Sequence, residues 1–250
     1  MRAVVRGIEL FYEESGHGET LVLLHNGLSC TKSFAQQVPE FSRHFKVVAY
    51  DRYGYGESTH MTNLRKDWLD ASVDDLRALL DCLGVEKAHL CGICAGGAIA
   101  LQFAAKNPQR TNRVAVAGTC CYGEEDMSQK APRFYPPPDQ VTEGFAHELA
   151  RCHGEDYWRD LYLVFQQAMK EENGYPFKGY DLRPILPDVK SPVIVIYGDR
   201  DNLFDVEQAL VMHKHLQDSD LCVIPNCGHL PNEERPDDFN RETLRFLLRE

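Results

Sequence analysis

The sequence HLCGICAGG over residues 89–97 decides the fold of this chain. A short apolar run leads into it, a helical pattern follows it, and Cys94 lies between Gly92 and Gly96. A nucleophile between two small residues at a strand-to-helix turn is typical of a nucleophile elbow, where glycines avoid Cβ clashes between strand and helix. The N-terminus of the following helix favours negative charge and hence the thiolate form of a cysteine. The segment therefore predicts that Cys94 is a nucleophile.

The segments around the elbow alternate between strand and helix patterns. Short apolar runs predict strands that are covered on both faces, at 21–24, 47–50, 87–91, 113–118, 193–197 and 221–225. Amphipathic periodicity predicts helices at 67–83, 94–107, 206–216 and 236–248. Residues 3–14 predict a hairpin that turns at Gly7. This alternation predicts an α/β fold with a mostly parallel, doubly wound sheet.

The alternation is interrupted over residues 119–187, an interval too long for an ordinary loop. Helical patterns lie within it at 142–151 and 156–171. We predict a core formed by residues 1–118 and 188–250, and a helical cap formed by residues 119–187. The cap is expected over the carboxyl edge of the sheet, where open α/β folds bind ligands.

The predicted cap is rich in aromatic residues. We expect most of them to pack the cap against the sheet and some to line an apolar or aromatic acyl pocket. They are Phe134, Tyr135, Phe145, Tyr157, Trp158, Tyr162, Phe165, Tyr175, Phe177 and Tyr180.

Five short motifs, in order along nearly the whole chain, resemble those of the α/β-hydrolase superfamily. Besides the elbow they are HNG at 25–27, DRYGYGES at 51–58, GDRD at 198–201 and GHLPNEERP at 228–236. Their order of nucleophile, acid and histidine is the order of that superfamily. The elbow is similar to that of dienelactone hydrolase, which also carries a cysteine. The other motifs look more like those of cap-bearing esterases.

The resemblance implies a role for each candidate residue. His229 would take the proton of Cys94 and form a thiolate–imidazolium pair with it, and Asp201 would hold the other ring nitrogen. The backbone N–H groups of Gly27 and Ala95 would form the oxyanion hole. Leu28 is an alternative donor to Gly27, because asparagine replaces the usual glycine at position 26.

Several alternatives stay open at this point. Asp199 and the acidic cluster at 124–126 compete as the acid, and His25, His213 and His215 compete as the base. Cys91 and Cys94 form a CxxC pattern, which can mark a redox pair. Four other thiols are expected near the carboxyl edge of the sheet as packing residues or as a second reactive thiol, namely Cys30, Cys120, Cys121 and Cys227.

Composition limits the function classes. The 250 residues carry a formal net charge of −11, which argues against non-specific binding to nucleic acid or to an anionic membrane. The nine cysteines lack the spacing of a disulfide scaffold, and there is no secretory signal or membrane span, so we expect a reducing cytoplasm. With no nucleotide, flavin or metal motif, we expect no cofactor and no metal. A monomer or homodimer is expected.

The sequence therefore predicts hydrolysis of an ester, thioester or lactone of a small apolar or aromatic acyl group through an acyl-enzyme on Cys94. An acyltransferase or cyclase that uses the same triad is the nearest alternative. A ligand receptor of the same fold with low turnover is the alternative from a different class.

Overall fold

In a computed structural model, which describes residues 1–123, 135–171 and 180–249, eight strands form one sheet. The strands are β1 (Arg2–Val5), β2 (Ile8–Ser15), β3 (Thr20–Leu24), β4 (Lys46–Tyr50), β5 (Ala88–Ile93), β6 (Thr111–Ala117), β7 (Val193–Gly198) and β8 (Ser219–Ile224). Their spatial order is β1-β2-β4-β3-β5-β6-β7-β8. The pairs β1–β2 and β2–β4 are antiparallel, and every other pair is parallel.

The described helices are α1 (Val38–Phe41), α2 (Trp68–Cys82), α3 (Ala95–Lys106), α4 (Glu143–His153), α5 (Trp158–Glu171), α6 (Glu207–His215), α7 (Pro231–Glu234) and α8 (Pro236–Leu247). Each strand and helix expected from the sequence is present, with ends that differ by a few residues. The single-turn helices α1 and α7 were not predicted, because four residues are too few to show a periodicity.

Helices cover both faces of the sheet. On one face α2, α3 and α6 contribute Leu76, Leu101 and Met212 to a large buried cluster. On the other face α1 and α8 contribute Phe41 and Phe246 to a second cluster. Because both faces are covered, every residue of β3, β5 and β7 is buried, which is why these strands read as continuous apolar runs. The prediction of a doubly wound, mostly parallel sheet is confirmed.

Helices α4 and α5 pack in a third hydrophobic cluster, away from the sheet core. Leu149 of α4 and Leu161 of α5 share this cluster with Tyr55 and Met61, which belong to the loop after β4. By contrast Leu182 packs in the large cluster that α2, α3 and α6 share. The cap boundaries drawn from the sequence at 119 and 187 stay a prediction.

Within the described ranges, no helix combines the length and apolar character that crossing a bilayer requires.

Candidate active site

Cys94 lies in a strained turn between β5 and α3. Its backbone has φ 51° and ψ −113°, a region that non-glycine residues rarely occupy. A Cβ atom on Gly92 would lie 2.3 Å from the carbonyl oxygen of Gly96, and one on Gly96 would lie 2.0 Å from that of Leu24. Only glycine allows strand and helix to pass this closely. The turn thus holds Cys94 at the carboxyl edge of the sheet.

Asp201 and His229 form a buried pair on the loops that follow β7 and β8. Oδ2 of Asp201 lies 2.8 Å from Nδ1 of His229. Oδ1 accepts hydrogen bonds from the backbone N–H groups of Leu203 at 2.9 Å and Phe204 at 3.0 Å. The Asp201 side chain is fully buried. These contacts fix the carboxylate, and the carboxylate fixes the imidazole.

The other ring nitrogen of His229 faces the thiol. Nε2 is buried and has no well-aligned hydrogen-bond partner in the part of the chain described. Burial lowers the pKa of His229, but the negative charge of Cys94, a hydrogen bond to Asp201 and a contact with Cys94 outweigh it and raise that pKa to about 10. The imidazolium is therefore the favoured form of His229 when Cys94 is a thiolate. The structure brings together Cys94, His229 and Asp201, the three residues proposed from the sequence.

Gly118 supports the ring of His229 from the end of β6. It has a positive φ of 54°, and a Cβ atom there would lie 2.4 Å from the carbonyl oxygen of His229 and 3.3 Å from the ring. This contact carries no sequence signal beyond a glycine at a strand end.

The oxyanion loop is fixed through the carbonyl of Asn26. This oxygen lies 2.8 Å from Nδ1 of His25 and accepts a hydrogen bond from Nη2 of Arg52 at 2.9 Å. Because the peptide unit is planar and trans, the N–H of Gly27 points away from that oxygen. The N–H of Ala95 is at the first position of α3 and has no partner within the helix. Gly27, Cys94 and Ala95 line one pocket.

The alternative bases occupy other positions. His25 is fully buried, and its Nε2 accepts a hydrogen bond from the backbone N–H of Arg52 at 3.1 Å, so both of its ring nitrogens are engaged. His213 pairs with Ser219 at 2.8 Å on α6, and His215 is exposed on the same helix. None of the three takes the place of His229 beside Asp201.

The alternative acids are not beside His229 either, where the structure describes them. Asp199 is exposed and accepts a hydrogen bond from the backbone N–H of Cys227 at 3.1 Å. The acidic cluster at 124–126 lies outside the described residues.

Cys91 is a poor partner for a redox pair with Cys94. It is fully buried in β5, and burial raises the pKa of its thiol to about 12. A thiol in this environment stays protonated and unreactive.

The pocket at Cys94 encloses about 880 Å³ of empty space, part of it open to solvent. Of the aromatic residues named from the sequence at 134–180, Tyr135, Phe165 and Tyr180 line the pocket. Phe145, Tyr157, Trp158 and Tyr162 pack in or against the third cluster. Phe134, Tyr175 and Phe177 lie outside the described residues.

Sequence reasoning missed the lining residues that come from the loop after β4 and from α2. They include Arg52, Tyr53, Tyr55, Met61, Leu64, Arg65 and Trp68. Part of this set belongs to the DRYGYGES motif, so the motif was visible but the direction of its side chains was not. Within the described residues, no group of three or more His, Cys, Asp or Glu side chains is placed to hold a metal ion.

Comparisons with known proteins show which family this chain resembles. The model of the Alpha/beta hydrolase family matches residues 21–242. Serine hydrolase BPHL of Homo sapiens is 28% identical over 98% of this chain and 85% of its own length. A 2-hydroxy-6-oxo-6-phenylhexa-2,4-dienoate hydrolase of Burkholderia cepacia is 24% identical over 94% of this chain and 89% of its own. The enol-lactonase structure from Burkholderia xenovorans LB400 superposes with a TM-score of 0.80 at 24% identity, over 100% of both chains, and supports the fold alone.

Proposed function

The chain belongs to the alpha/beta hydrolase family, and on that premise we propose that it hydrolyses an ester, thioester or lactone through an acyl-enzyme on Cys94. One observation carries the proposal, namely the position of His229 between Asp201 and Cys94. Its Nδ1 lies 2.8 Å from the carboxylate, and the charge of Cys94 is the largest influence that raises its pKa. A base held by an acid on one side and facing a nucleophile on the other is the arrangement that activates a nucleophile.

The first half-reaction forms a thioester. The thiolate sulfur of Cys94 attacks the carbonyl carbon, and the carbonyl π electrons move to oxygen, where the N–H groups of Gly27 and Ala95 stabilise the negative charge. The oxyanion collapses, the bond to the leaving group breaks, and the imidazolium of His229 donates its proton to the leaving group. His229 is then neutral.

Water completes the cycle. Neutral His229 takes a proton from water as the oxygen attacks the thioester carbonyl. Collapse of the second oxyanion releases the acid and returns Cys94 to the thiolate, and the imidazolium is restored. Asp201 stabilises that imidazolium in both half-reactions.

Cysteine at the elbow sets this chain apart from the relative named as a serine hydrolase. A thiol can ionise before substrate binds, whereas a serine hydroxyl must lose its proton during the attack. The sharp turn, its glycines and the buried Asp201–His229 pair support a catalytic role for Cys94 rather than a packing role.

The pocket supports a small apolar or aromatic acyl group. Tyr55, Tyr135, Phe165 and Trp68 supply aromatic surface close to Cys94. The relatives include a protein named as a 2-hydroxy-6-oxo-6-phenylhexa-2,4-dienoate hydrolase. We propose that the acyl group of this chain's substrate is planar or cyclic and similar in size. In this proposal residues 119–187 form the cap over the pocket, which the packing of α4 and α5 beside it supports.

Mass spectrometry of the intact protein tests the proposal. Wild type, Cys94→Ala and Cys82→Ala are each mixed with a panel of activated esters and thioesters, and adducts are mapped by peptide digestion. Cys82 is an exposed thiol at the end of α2 and provides the matched control. An acyl adduct is expected on Cys94 in wild type and in Cys82→Ala, and it should be absent from Cys94→Ala. An adduct that persists in Cys94→Ala and maps to Cys120 or Cys227 contradicts the proposal.

Kinetics then separate hydrolysis from its alternatives. A thioester is also suited to passing its acyl group to a second nucleophile, so product formation that requires an added amine, thiol or alcohol would identify a transferase. Tight retention of ligand without turnover would identify a receptor. Release of the free acid at a rate independent of such additions supports hydrolysis.

A further inference from the structure

Arg52 carries a guanidinium that is buried beside the predicted oxyanion loop. The residue is 5% exposed and lines the same pocket as Cys94 and Gly27. A guanidinium remains charged under all ordinary conditions. Burying a charge is costly unless an opposite charge or a full set of hydrogen bonds compensates it.

The groups around this cation are neutral. Its Nη2 donates to the carbonyl of Asn26 at 2.9 Å, and its central carbon lies 4.5 Å from the centre of the Tyr55 ring. Burial raises the pKa of Tyr55, so the phenol keeps its proton. Burial, followed by the charge of Arg52, lowers the pKa of His25, so that ring is uncharged. In residues 1–123, 135–171 and 180–249, no carboxylate lies within 4.0 Å of the guanidinium.

The donors of the guanidinium are not all used. Nε is buried and has no hydrogen-bond partner among the described residues, and the other contacts of the guanidinium are with Asn26, His25 and Tyr55, none of which is a carboxylate. Arg65, which also lines the pocket, differs in this respect. It lies 4.0 Å from Asp75 and over the ring of Tyr53 at 5.3 Å. The pocket therefore holds one arginine with a carboxylate and one without.

We propose that Arg52 binds a carboxylate of the substrate, so that the preferred ester, thioester or lactone is an anionic one. A guanidinium binds a carboxylate through charge-assisted hydrogen bonds, and Arg52 has a donor without a partner. Because Arg52 also holds the peptide of the oxyanion loop, the carboxylate lies on that side of Cys94, close to the reacting carbonyl. This inference rests on the proposed function and adds the charge of its substrate.

Two esters of the same shape test the inference. Mono-(4-nitrophenyl) glutarate has an acyl group that ends in a carboxylate, and 4-nitrophenyl 5-methylhexanoate has one that ends in an isopropyl group. We expect wild type to prefer the glutarate ester, and the ratio of the two kcat/KM values to fall by about 10- to 100-fold in Arg52→Gln, the effect of losing a hydrogen bond to a charged group. Arg52→Lys keeps the charge and should keep a larger part of the preference.

The ratio is the readout because both substitutions also remove a hydrogen bond from the carbonyl of Asn26, which slows both esters. Arg65→Gln is the matched control and should change the ratio by less than about threefold, because Arg65 is half-exposed and already lies beside the carboxylate of Asp75. If Arg52→Gln slows both esters equally, the carboxylate is not on the acyl group. If Arg65→Gln lowers the ratio instead, the proposal is overturned.

A second pair of esters places the charge in the leaving group, namely 3-carboxyphenyl hexanoate and 3-isopropylphenyl hexanoate. A preference that depends on Arg52 in this pair alone assigns the carboxylate to the leaving group. A preference in the glutarate pair assigns it to the acyl group. No dependence on Arg52 in either pair overturns the proposal.

A binding measurement separates the two proposals. Cys94→Ala is titrated with monomethyl glutarate by calorimetry, alone and combined with Arg52→Gln, and Arg52→Gln should weaken binding about tenfold or more. If binding depends on Arg52 but no ester acylates Cys94, the proposed reaction fails and the anion site stands. If Cys94 is acylated but neither binding nor selectivity depends on Arg52, the reaction stands and the anion site fails.

Discussion

Replacing Cys94 with serine should reverse the way in which activity responds to pH. In the wild type, His229 must be an imidazolium to protonate the leaving group, and the thiolate of Cys94 is its counter-ion. Activity is therefore expected to fall as the pH rises through about 10, the pKa of His229 in that pair. In Cys94→Ser, His229 must instead be neutral to take the serine proton, so activity should rise as the pH rises through a lower pKa.

The size of the effect follows from what raises the pKa of His229. Burial alone lowers that pKa, whereas the charge of Cys94, the hydrogen bond to Asp201 and a contact with Cys94 raise it from 6.5 to about 10. This net change is on the order of 5 kcal/mol of preference for the imidazolium. Serine removes both contributions of Cys94 to the pKa of His229, whereas the effects of burial and of Asp201 on that pKa remain. A shorter C–O bond also moves the nucleophile from the carbonyl, and small misplacements cost about 10²-fold. We expect kcat/KM at neutral pH to fall by about 10²-fold or more.

Two measurements check this prediction. The first is the pH profile of kcat/KM for both proteins on the same activated ester. The second is the pH dependence of alkylation by iodoacetamide, mapped by peptide, with exposed Cys82 as an internal reference thiol. Cys94 should be alkylated faster than Cys82, because His229 and the N-terminus of α3 activate its sulfur. The reasoning is refuted if the serine variant is as active as wild type and keeps the same pH profile.

Three further substitutions test the parts that support His229 and the pocket. Asp201→Asn should lower the acylation rate by about 10²- to 10⁴-fold and bring the upper pH limit of activity below 10, because His229 loses its carboxylate. Single-turnover kinetics measure both effects, and an unchanged pH limit would contradict the prediction. Gly118→Ala should destabilise the fold by about 2 kcal/mol or more and slow acylation, because its Cβ would lie 2.4 Å from the carbonyl oxygen of His229 and the φ of Gly118 is positive. Denaturant unfolding measures the stability and kcat measures the rate. Wild-type values for both would show that Gly118 does not pack this closely against His229. Tyr157→Phe should lower the unfolding free energy by about 1–3 kcal/mol, because the hydroxyl hydrogen bond to the Gly54 carbonyl at 2.8 Å is lost, whereas an unchanged thermal midpoint would mean that this bond does not hold α5 to the core.

The fold was predictable because it depends on patterns that are local in the chain. The runs at 21–24 and 193–197 are apolar throughout since β3 and β7 are covered on both faces, and this alone distinguishes them from exposed strands. The elbow was predictable because its glycines flank Cys94 in the chain, although only the contact that requires Gly92 is local. A Cβ atom on Gly92 would meet the backbone of Gly96, whereas one on Gly96 would meet the carbonyl of Leu24 at the end of β3. The pairing of Asp201 with His229 was expected from the resemblance of their motifs to those of α/β-hydrolases, whereas strand position alone left Asp199 open as the acid.

The lining of the pocket was not predictable in the same way. Arg52, Trp68 and Phe165 come from the loop after β4, from α2 and from α5, and they meet only after these segments have packed. Each has an ordinary local explanation in the sequence, as a turn residue or as part of an amphipathic helix. Which of its neighbours an aromatic side chain contacts is decided by tertiary packing, which a periodicity does not encode.

The DRYGYGES motif contains both kinds of residue, those whose role was predictable from the sequence and those whose role was not. Its signature residues build the turn: Asp51 accepts hydrogen bonds from the N–H groups of Thr31 at 2.7 Å and Glu57 at 2.8 Å, and a Cβ atom on Gly56 would lie 2.0 Å from the Asp51 carboxylate. The side chains of the residues between them do not make these contacts, and Arg52 is one that lines the pocket. A match to the motif therefore identifies the turn but does not predict which of its side chains contacts the substrate. Arg52 occupies a position at which the motif allows any residue. If the selectivity of this enzyme depends on Arg52, a match to the motif does not predict the charge of the preferred substrate.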